Sequence, residues 1–362
     1  MTLIATILFV EGNKFNLNTV IKTTKLQNCP ACQNIGIITY QGLNDSMLDT
    51  EGSWSMRKCS SPVCGTYWLD PTPIPEDIPK LYPDYQTHTD PPAIKPTKPR
   101  GVKLFMEVMR QSVLAQELGY PSDIPKKYQR LLSNFSRIHP GWRDEQLNQV
   151  LYVPYVINGE FLDVGCGGGY AMMSLKNKGF NVTGTDFDEE AVKNAQRKGL
   201  RVFHGDLKNI NFKENSFDVI LLCHVIEHVP NPIEFLKECR RILKPGGYLI
   251  AITPNAASRG HNKFKESWRG LEVPRHLQVF TPHSLSTIGV QAGFNKVIGK
   301  TCIQGFSYLT EASKMHSRTG SFDLQAQTKT EQIVLKIKLF IFGIFFAISP
   351  GKEETALLVC QK

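Results

Sequence analysis

The sequence predicts an α/β fold in which a parallel, doubly wound sheet follows a small cysteine-containing unit. Strand-like and helix-like segments alternate between residues 160 and 256, a pattern typical of a parallel sheet covered by helices on both faces. Residues 217–228 are interpreted as a continuous, mainly apolar strand, as expected of a strand buried on both faces. Residues 162–170 run from an apolar strand through closely spaced glycines into an apolar helix. Such a turn is typical of a ligand site at the carboxyl edge of a parallel sheet.

The composition is that of a globular chain with room for more than one domain. The chain has 362 residues, of which 41% are hydrophobic and 21% charged, and this length allows two or three domains. The formal net charge of +9 favours anionic partners without choosing among them. Nine cysteines, an odd number, argue against a disulfide framework and indicate a reducing compartment. We therefore expect a cytoplasmic protein.

The first residues of the chain, 1–24, are interpreted as an N-terminal extension. Residues 1–10 are apolar, but they have no positively charged start and no small-residue cleavage site. They therefore do not resemble a signal peptide. They are also too short to span a bilayer.

Residues 25–70 are predicted to form a zinc-ribbon-like module. Two cysteine pairs bracket a stretch with strand and turn character: Cys29 and Cys32 have two residues between them, and Cys59 and Cys64 have four. Two thiol pairs on separate turns suit the tetrahedral coordination of Zn²⁺. Without a metal, a unit of this size would have too small a core to fold alone. A redox C-x-x-C motif is less favoured, because no βαβ pattern surrounds the first pair.

Two segments separate this module from the predicted sheet. Residues 71–100 hold nine of the 22 prolines and are predicted to form a stiff, partly extended linker. Residues 101–158 show helical patterning at 102–118 and 126–138, and they are interpreted as a helical lead-in or cap. The domain that contains the sheet is placed at residues 159–362.

The glycine-rich turn has the spacing D-x-G-x-G-x-G. Its residues are Asp163, Gly165, Gly167 and Gly169. The dinucleotide fingerprint G-x-G-x-x-G does not fit, because Tyr170 occupies the position of its last glycine. On its own, a tight connection between strand and helix would also explain these glycines.

Two further acids stand at the ends of predicted strands. Asp186 ends the strand at residues 181–186, 23 positions after Asp163, where a carboxylate can accept hydrogen bonds from ribose hydroxyls. Asp206 ends a third strand. Because the carboxyl ends of parallel strands share one edge, we expect both acids near the glycine turn and near His224, which follows the fourth strand.

These motifs, in this order, resemble those of class I S-adenosylmethionine-dependent methyltransferases of the type 11, 12 and 23 groups, over residues 160–300. The resemblance implies a Rossmann-like, seven-stranded sheet, with residues 355–360 as its last strand. It also implies an S-adenosylmethionine site in which Asp206 faces the adenine amino group. The residues implied to bind the cofactor are Asp163, Gly165, Cys166, Gly167, Gly169, Asp186, Phe187, Asp206, Leu207 and Cys223. Neither cysteine has the sequence context of an activated thiol, so packing is the favoured role of both side chains.

Three histidines are candidates for a general base, because an acceptor hydroxyl must lose its proton and imidazole titrates near neutral pH. They are His228, which is favoured, His224 and His276. A purely structural turn around Glu227 and His228 is the alternative.

The turn at residues 224–228 also has the spacing H-x-x-E-H. A zinc-protease site is not favoured, because the motif leaves a buried strand rather than lying on a regular helix. The family of quinone-biosynthesis O-methyltransferases carries two acids and a histidine around this turn, which are proposed to hold a divalent cation. His224 replaces the first acid, which disfavours magnesium.

Residues 339–348 form an unbroken apolar run within a predicted helix at 333–348. Ten residues are too few to span a membrane as a helix. A helix buried in the core or in a dimer interface is one interpretation. A helix seated in the membrane surface, with Lys336 and Lys338 at the headgroups, is the other, and it would make the protein peripheral at the inner face of the membrane.

The sequence thus predicts methyl transfer from S-adenosylmethionine to a small-molecule, sugar or lipid-linked acceptor, with oxygen the favoured target and a structural zinc in the N-terminal module. An RNA methyltransferase, favoured by the net charge and the ribbon, and a non-catalytic cofactor-binding scaffold are alternatives. Nucleic acid is the less favoured partner, because the Asn/Asp-Pro-Pro-aromatic motif that clamps exocyclic base amines is absent after the fourth strand. The oligomeric state is left open.

Overall fold

The computed structural model describes residues 20–82, 100–322 and 351–362. Its N-terminal part contains five short strands and one 3₁₀ helix, Pro75–Leu81. The strands are β1 (Thr23–Thr24), β2 (Gly36–Leu43), β3 (Trp54–Cys59), β4 (Tyr67–Leu69) and β5 (Thr72–Pro73). Strands β2, β3 and β4 form an antiparallel sheet, and β1 pairs with β5.

Three helices lead into the central sheet, α1 (Val102–Leu118), α2 (Lys126–Phe135) and α3 (Pro140–Asn148). The helices predicted at 102–118 and 126–138 are confirmed, the second being completed by a 3₁₀ turn at Ser136–Ile138. Helices α1 and α3 contribute buried apolar side chains to the core on one face of the sheet, where Val113 packs in the same cluster as Phe161.

The central sheet and its helices alternate along the chain as the sequence predicts. The elements are β6 (Glu160–Val164), α4 (Tyr170–Lys176), β7 (Asn181–Asp186), α5 (Glu189–Arg197), β8 (Arg201–His204), α6 (Leu207–Ile210), β9 (Phe217–Cys223), α7 (Pro232–Ile242), β10 (Leu243–Pro254), α8 (Arg259–Phe264), β11 (Gln278–Val279), α9 (Pro282–Gln291), β12 (Lys296–Cys302), α10 (Phe306–Thr319) and β13 (Thr355–Gln361). The fourth strand is shorter than the apolar run in the sequence, because the chain leaves the sheet at Cys223 and turns through a 3₁₀ helix at Ile226–His228.

Seven of these strands form one sheet in the order β12-β13-β10-β9-β6-β7-β8. Strands β6 to β10 are parallel, and β13 runs antiparallel to both of its neighbours, β10 and β12. The seven-stranded, doubly wound α/β prediction is therefore confirmed. Strand β6 lies between β9 and β7, so the turns that follow these three strands meet at one edge.

The N-terminal sheet is not separate from the rest of the molecule, although the sequence suggested a distinct unit at residues 25–70. Strand β11, which follows the fifth strand of the central sheet along the chain, pairs with β4 and becomes the edge of the N-terminal sheet. Apolar side chains from both parts, among them Trp54 and Trp268, share one buried cluster. The physical reason is that a small sheet gains both an edge partner and buried area from this strand.

The predicted linker at residues 71–100 is partly corrected by the structure. Its first residues are packed rather than extended: Leu81 is fully buried, and the buried carboxylate of Asp77 accepts a hydrogen bond from the backbone N–H of Lys22 at 2.7 Å. Proline is compatible with this 3₁₀ helix, because Pro75 stands in its first turn, where no backbone donor is needed.

None of the described helices is long and apolar enough to cross a membrane. The helix predicted at residues 333–348 lies outside the described residues, as do residues 1–19 of the predicted extension and residues 83–99 of the predicted linker.

Candidate functional site

The glycine turn after β6 has a backbone that a side chain would disturb. Gly165 has φ +70°, and a Cβ atom added there would lie 2.7 Å from Cγ2 of Val225, in the turn after β9. Gly169 has φ +81°, and its Cβ would lie 2.3 Å from Leu200. Positive φ and close approach both call for glycine. The first contact also shows that the glycine turn packs directly against the turn that carries His224.

Asp186, at the end of β7, holds the glycine turn through its carboxylate. Its Oδ2 accepts the N–H of Gly167 at 2.7 Å, and its Oδ1 accepts the N–H of Asp188 at 2.9 Å. Burial raises the pKa of Asp186 despite these bonds. A carboxylate has about four acceptor positions, so two bonds leave capacity for a hydroxyl pair.

Asp163, inside β6, is a buried carboxyl without a protein partner. It is 3% exposed, and no hydrogen bond to its side chain is formed by the described residues. Burial, with a contribution from the charge of Asp186, raises the pKa of Asp163 to about 8. A buried carboxyl that is held in this way without a cation is a common mark of a ligand site.

Asp206, Phe187 and Leu207, which the sequence assigned to one cofactor site, differ in burial and in their contacts. Asp206 accepts both the backbone N–H of Asn209, at 2.7 Å, and its side-chain amide, at 3.0 Å, so it caps α6. Phe187 is 71% exposed just beyond β7. Leu207 is 2% exposed and packs in the core.

The two cysteines of the edge have different surroundings. Cys166 is buried in a cluster with Met172 and Val192, and burial raises the pKa of its thiol. Cys223 is half-buried and accepts a weak hydrogen bond from the side-chain amide of Gln304 at 3.5 Å. Burial raises the pKa of Cys223 to about 12. Thiols that are protonated at neutral pH are packing groups rather than nucleophiles.

His224 and Glu227 form a pair at the start of the turn after β9. His224 adopts φ +57°, unusual for a residue with a side chain, and its Nδ1 lies 3.2 Å from Oε1 of Glu227. The imidazole is 40% exposed, whereas the carboxylate is fully buried. Burial opposes ionisation of Glu227, but the hydrogen bond and charge of His224, with smaller contributions from His228 and His276, lower its pKa to about 2.

His228 and His276 pack together behind this pair, with ring centroids 4.7 Å apart. Nδ1 of His228 lies 2.9 Å from the hydroxyl of Tyr82 and 3.0 Å from the carbonyl oxygen of Arg275. Nδ1 of His276 lies 2.8 Å from the carbonyl oxygen of Gly270, and burial lowers the pKa of His276 to about 4. His276 is therefore neutral near pH 7. The ionised carboxylate of Glu227 is stabilised mainly by His224.

The three predicted histidines thus meet around one buried carboxylate. Glu227, His228 and His276 each place a ligand atom within 4.8 Å of the others, and Oε2 of Glu227 has no hydrogen-bond partner among the described residues. Magnesium prefers oxygen ligands, so a donor set of two imidazoles and one carboxylate disfavours magnesium here.

Several residues of this cluster were missed by the sequence analysis. Tyr82 comes from the N-terminal part. Glu272 is buried between the guanidinium groups of Arg269 and Arg275. Burial alone would raise the pKa of Glu272, but the charges of these cations outweigh it and hold the pKa well below its usual value. The segment P-R-H-L around His276 carried one of these charges, Arg275, but nothing in the sequence indicated that it would be buried.

The four cysteines of the N-terminal part converge as predicted. Sγ of Cys29 lies 3.7 Å from Sγ of Cys64, and Sγ of Cys32 lies 3.4 Å from Sγ of Cys59. All four sulfur atoms lie within 4.8 Å of one another. A tetrahedral zinc with Zn–S bonds of about 2.3 Å has sulfur–sulfur separations of about 3.8 Å. The donor set and its spacing therefore fit zinc.

Comparison with known proteins agrees with this geometry. Residues 120–298 match the model of a family described as a methyltransferase domain. This segment belongs to that methyltransferase family. It contains the glycine turn, the acids after β7 and β8, and all three candidate histidines.

Individual relatives are similar over shorter stretches. The ubiquinone biosynthesis O-methyltransferase of Maricaulis maris is 41% identical over 105 residues, which are 27% of this chain and 41% of that protein. The enzyme of the same name from Actinobacillus pleuropneumoniae is 34% identical over 125 residues, 30% of this chain and 53% of that protein. The chain thus spans about half the length of the curated relatives it matches. A solved S-adenosylmethionine-dependent methyltransferase from Archaeoglobus fulgidus aligns with a TM-score of 0.42 at 21% identity, over 65% of this chain and all of that one.

Proposed function

We propose that this protein transfers a methyl group from S-adenosylmethionine to a hydroxyl group of a small-molecule acceptor. The observation that carries the proposal is the convergence at one sheet edge of the glycine turn after β6, the acid ending β7 and the histidine turn after β9. The contact between Gly165 and Val225 joins the first and last of these. A cofactor in the glycine turn would therefore lie beside the imidazoles.

The cofactor would be held by groups that the structure leaves able to bind it. Asp186 has remaining acceptor capacity for two ribose hydroxyls. Asp163 offers a buried carboxylate to a cationic group, and such pairing would offset the cost of its burial. Phe187, exposed beside them, offers an aromatic face to the adenine. When bound, S-adenosylmethionine supplies an electrophilic methyl group on a sulfonium.

The protein's own contribution is to orient the acceptor and take its proton. We assign the base to His228, because its Nδ1 lies against the carbonyl oxygen of Arg275, which leaves Nε2 free to accept a proton. A half-buried imidazole also excludes water from the reacting groups. His224, which is more exposed and paired with Glu227, is the second candidate, whereas His276 is too buried to reach an acceptor and would support the other two.

Two observations support a hydroxylated acceptor: the names of the relatives, and the imidazoles at the carboxyl edge of the sheet. The two relatives above are named for O-methylation in ubiquinone biosynthesis; we infer a hydroxylated small molecule here, with a lipid-linked or sugar hydroxyl as the narrower possibilities. Zinc at the four cysteines would have a structural role, since four protein thiolates leave no open coordination position.

Calorimetry with S-adenosylmethionine tests the first half of this proposal. We expect binding by the wild-type protein and a loss of about 2 kcal/mol or more in Asp186→Ala, because two charge-assisted hydrogen bonds disappear. Asp188→Ala, which removes a neighbouring acid whose side chain caps α5, is the control. Binding that is absent, or equally weak in both variants, would refute the assignment.

A methyl-transfer assay tests the second half. Tritium-labelled S-adenosylmethionine is incubated with protein and with separated small-molecule, lipid, glycan and RNA fractions of a bacterial extract. We expect label in a small-molecule or lipid fraction, and a loss of about 100-fold in His228→Gln with unchanged cofactor affinity. Label in RNA would favour the alternative acceptor, and loss only in His224→Gln would move the base to that residue.

A further inference from the structure

We propose that the N-terminal part of the chain positions the candidate base, with Tyr82 and the buried Asp45–Arg275 pair fixing the tautomer and orientation of His228. The proposal rests on the proposed function for its catalytic meaning, but its structural content is independent of it. It makes the cysteine-containing part a component of the active centre rather than an appended module.

The first step concerns the two contacts of Nδ1 of His228. The carbonyl oxygen of Arg275 lies 3.0 Å away and can only accept a hydrogen bond. Nδ1 must therefore carry the proton for this contact to be favourable. The hydroxyl of Tyr82, 2.9 Å from the same nitrogen, lies beside that proton as a second acceptor. The lone pair is consequently on Nε2, the state that a general base requires.

The second step concerns what holds the carbonyl group of Arg275 in place. Its guanidinium donates to both carboxylate oxygens of Asp45, at 2.6 and 2.7 Å, and both side chains are fully buried. It also donates to Glu272 at 3.1 Å. Asp45 lies on the loop between β2 and β3, and it accepts the backbone N–H groups of Met47 and Leu48 as well. A bidentate, buried pair of this kind has a fixed geometry.

The third step concerns the segment that follows. The N–H of Leu277 donates to the carbonyl of Glu227 at 2.9 Å, while the carbonyl of Leu277 accepts the N–H of Leu69 at 2.9 Å. Gln278 donates its side-chain amide to the carbonyl of Val229 and pairs with Trp68 across the sheet. Residues 275–279 therefore bridge the N-terminal sheet and the turn that carries His228.

The test measures the tautomer of His228 directly. Long-range ¹H–¹⁵N spectra of the 362-residue chain, with the His228→Gln variant to assign the signal, distinguish a protonated Nδ1 from a protonated Nε2. We expect Nδ1–H in the wild type and a shift of the population towards Nε2–H in Tyr82→Phe, which keeps the ring against His228 but removes the hydroxyl. A wild-type Nε2–H tautomer, or a Tyr82→Phe spectrum identical to the wild type, would overturn the proposal.

A matched control separates positioning from a general effect on the N-terminal part. The hydroxyl of Tyr40 lies 3.1 Å from Nε2 of another histidine, His261. Tyr40→Phe, in β2, therefore removes the same group from the N-terminal part, and we expect it to leave the His228 signal unchanged. Asp45→Asn tests the second support: we expect the same direction of shift as in Tyr82→Phe, and if this variant fails to fold, the Tyr82 result still decides.

The catalytic consequence is measured as the initial rate of label transfer at saturating S-adenosylmethionine, into the fraction that accepts label. We expect Tyr82→Phe to lower this rate about 10-fold without changing cofactor affinity or melting temperature, and Tyr40→Phe to leave it unchanged. An equal loss in both variants would assign Tyr82 a merely structural role. A protein that binds no cofactor but shows the tautomer shift would refute the proposed function and retain the positioning.

Discussion

At the scale of single residues, the buried carboxyl of Asp163 carries the clearest conflict between stability and binding. Burial without a hydrogen-bond partner among the described residues destabilises its ionised form. The pKa of about 8 expresses this cost. An Asp whose pKa is raised on folding contributes stability that is full below its unfolded pKa, near 4, and is lost as the pH rises through 8.

We therefore expect Asp163→Asn to stabilise the ligand-free protein at pH 9 by about 1–3 kcal/mol, with a gain that diminishes towards pH 5. Urea unfolding at the two pH values measures this difference. The same variant should bind S-adenosylmethionine more weakly, because it has lost its charge. Equal stability of variant and wild type at pH 9 would show that the carboxylate is solvated or paired.

At the scale of elements, the turn after β6 is held against two neighbouring turns. Gly165 and Gly199 have similar backbone angles, φ +70° and φ +74°. Gly165→Ala would place a methyl group against Val225, whereas the methyl group of Gly199→Ala would meet nothing within 4 Å. Each substitution carries the left-handed backbone cost of about 1–2 kcal/mol. Gly165→Ala should lose additional stability and lose cofactor binding, since the turn must move away from β9.

Thermal unfolding and calorimetry on the two variants check this expectation. Gly199→Ala is the control for backbone strain alone, and it should keep wild-type cofactor affinity. Equal affinity of both variants would mean that the glycine turn accommodates the methyl group without moving, and that its contact with the turn after β9 does not matter for binding.

At the scale of the whole molecule, the cysteine cluster and the histidine cluster are connected through one sheet. Removing the proposed zinc with a chelator should expose the four thiols and loosen β2, β3 and β4. The edge strand β11 pairs with β4 in the same sheet. We expect a lower melting temperature and a loss of methyl transfer, because His228 is supported from this side. Metal analysis, melting curves and the labelled-methyl assay measure the three effects together.

Cys239→Ala is a suitable comparison, because Cys239 is buried in the core and lies outside the cluster of four. It should keep its metal content, whereas Cys64→Ala should lose it. Full activity in a protein shown to contain no metal would contradict the connection between the two clusters.

The sequence by itself predicted the order of strands and helices and the polar residues at the strand ends. The alternation of strand and helix predicted the sheet, and the glycine turn with Asp163, Asp186 and Asp206 predicted the edge to which we assign the cofactor, because parallel strands bring their carboxyl ends together whatever the details of packing. The spacing of the four cysteines likewise predicted their convergence, since metal ligands must meet at one point.

Only the tertiary structure decided how the two parts are joined. A two-residue edge strand such as β11 has no pattern of its own, and the burial of Arg275 against Asp45, 230 positions away, depends on a pairing that no local signal specifies. The burial of Leu207 has the same cause, because the side of a short helix that faces the core is set by its neighbours. The partners of His228 thus come from long-range packing, whereas the histidine itself was visible in the sequence.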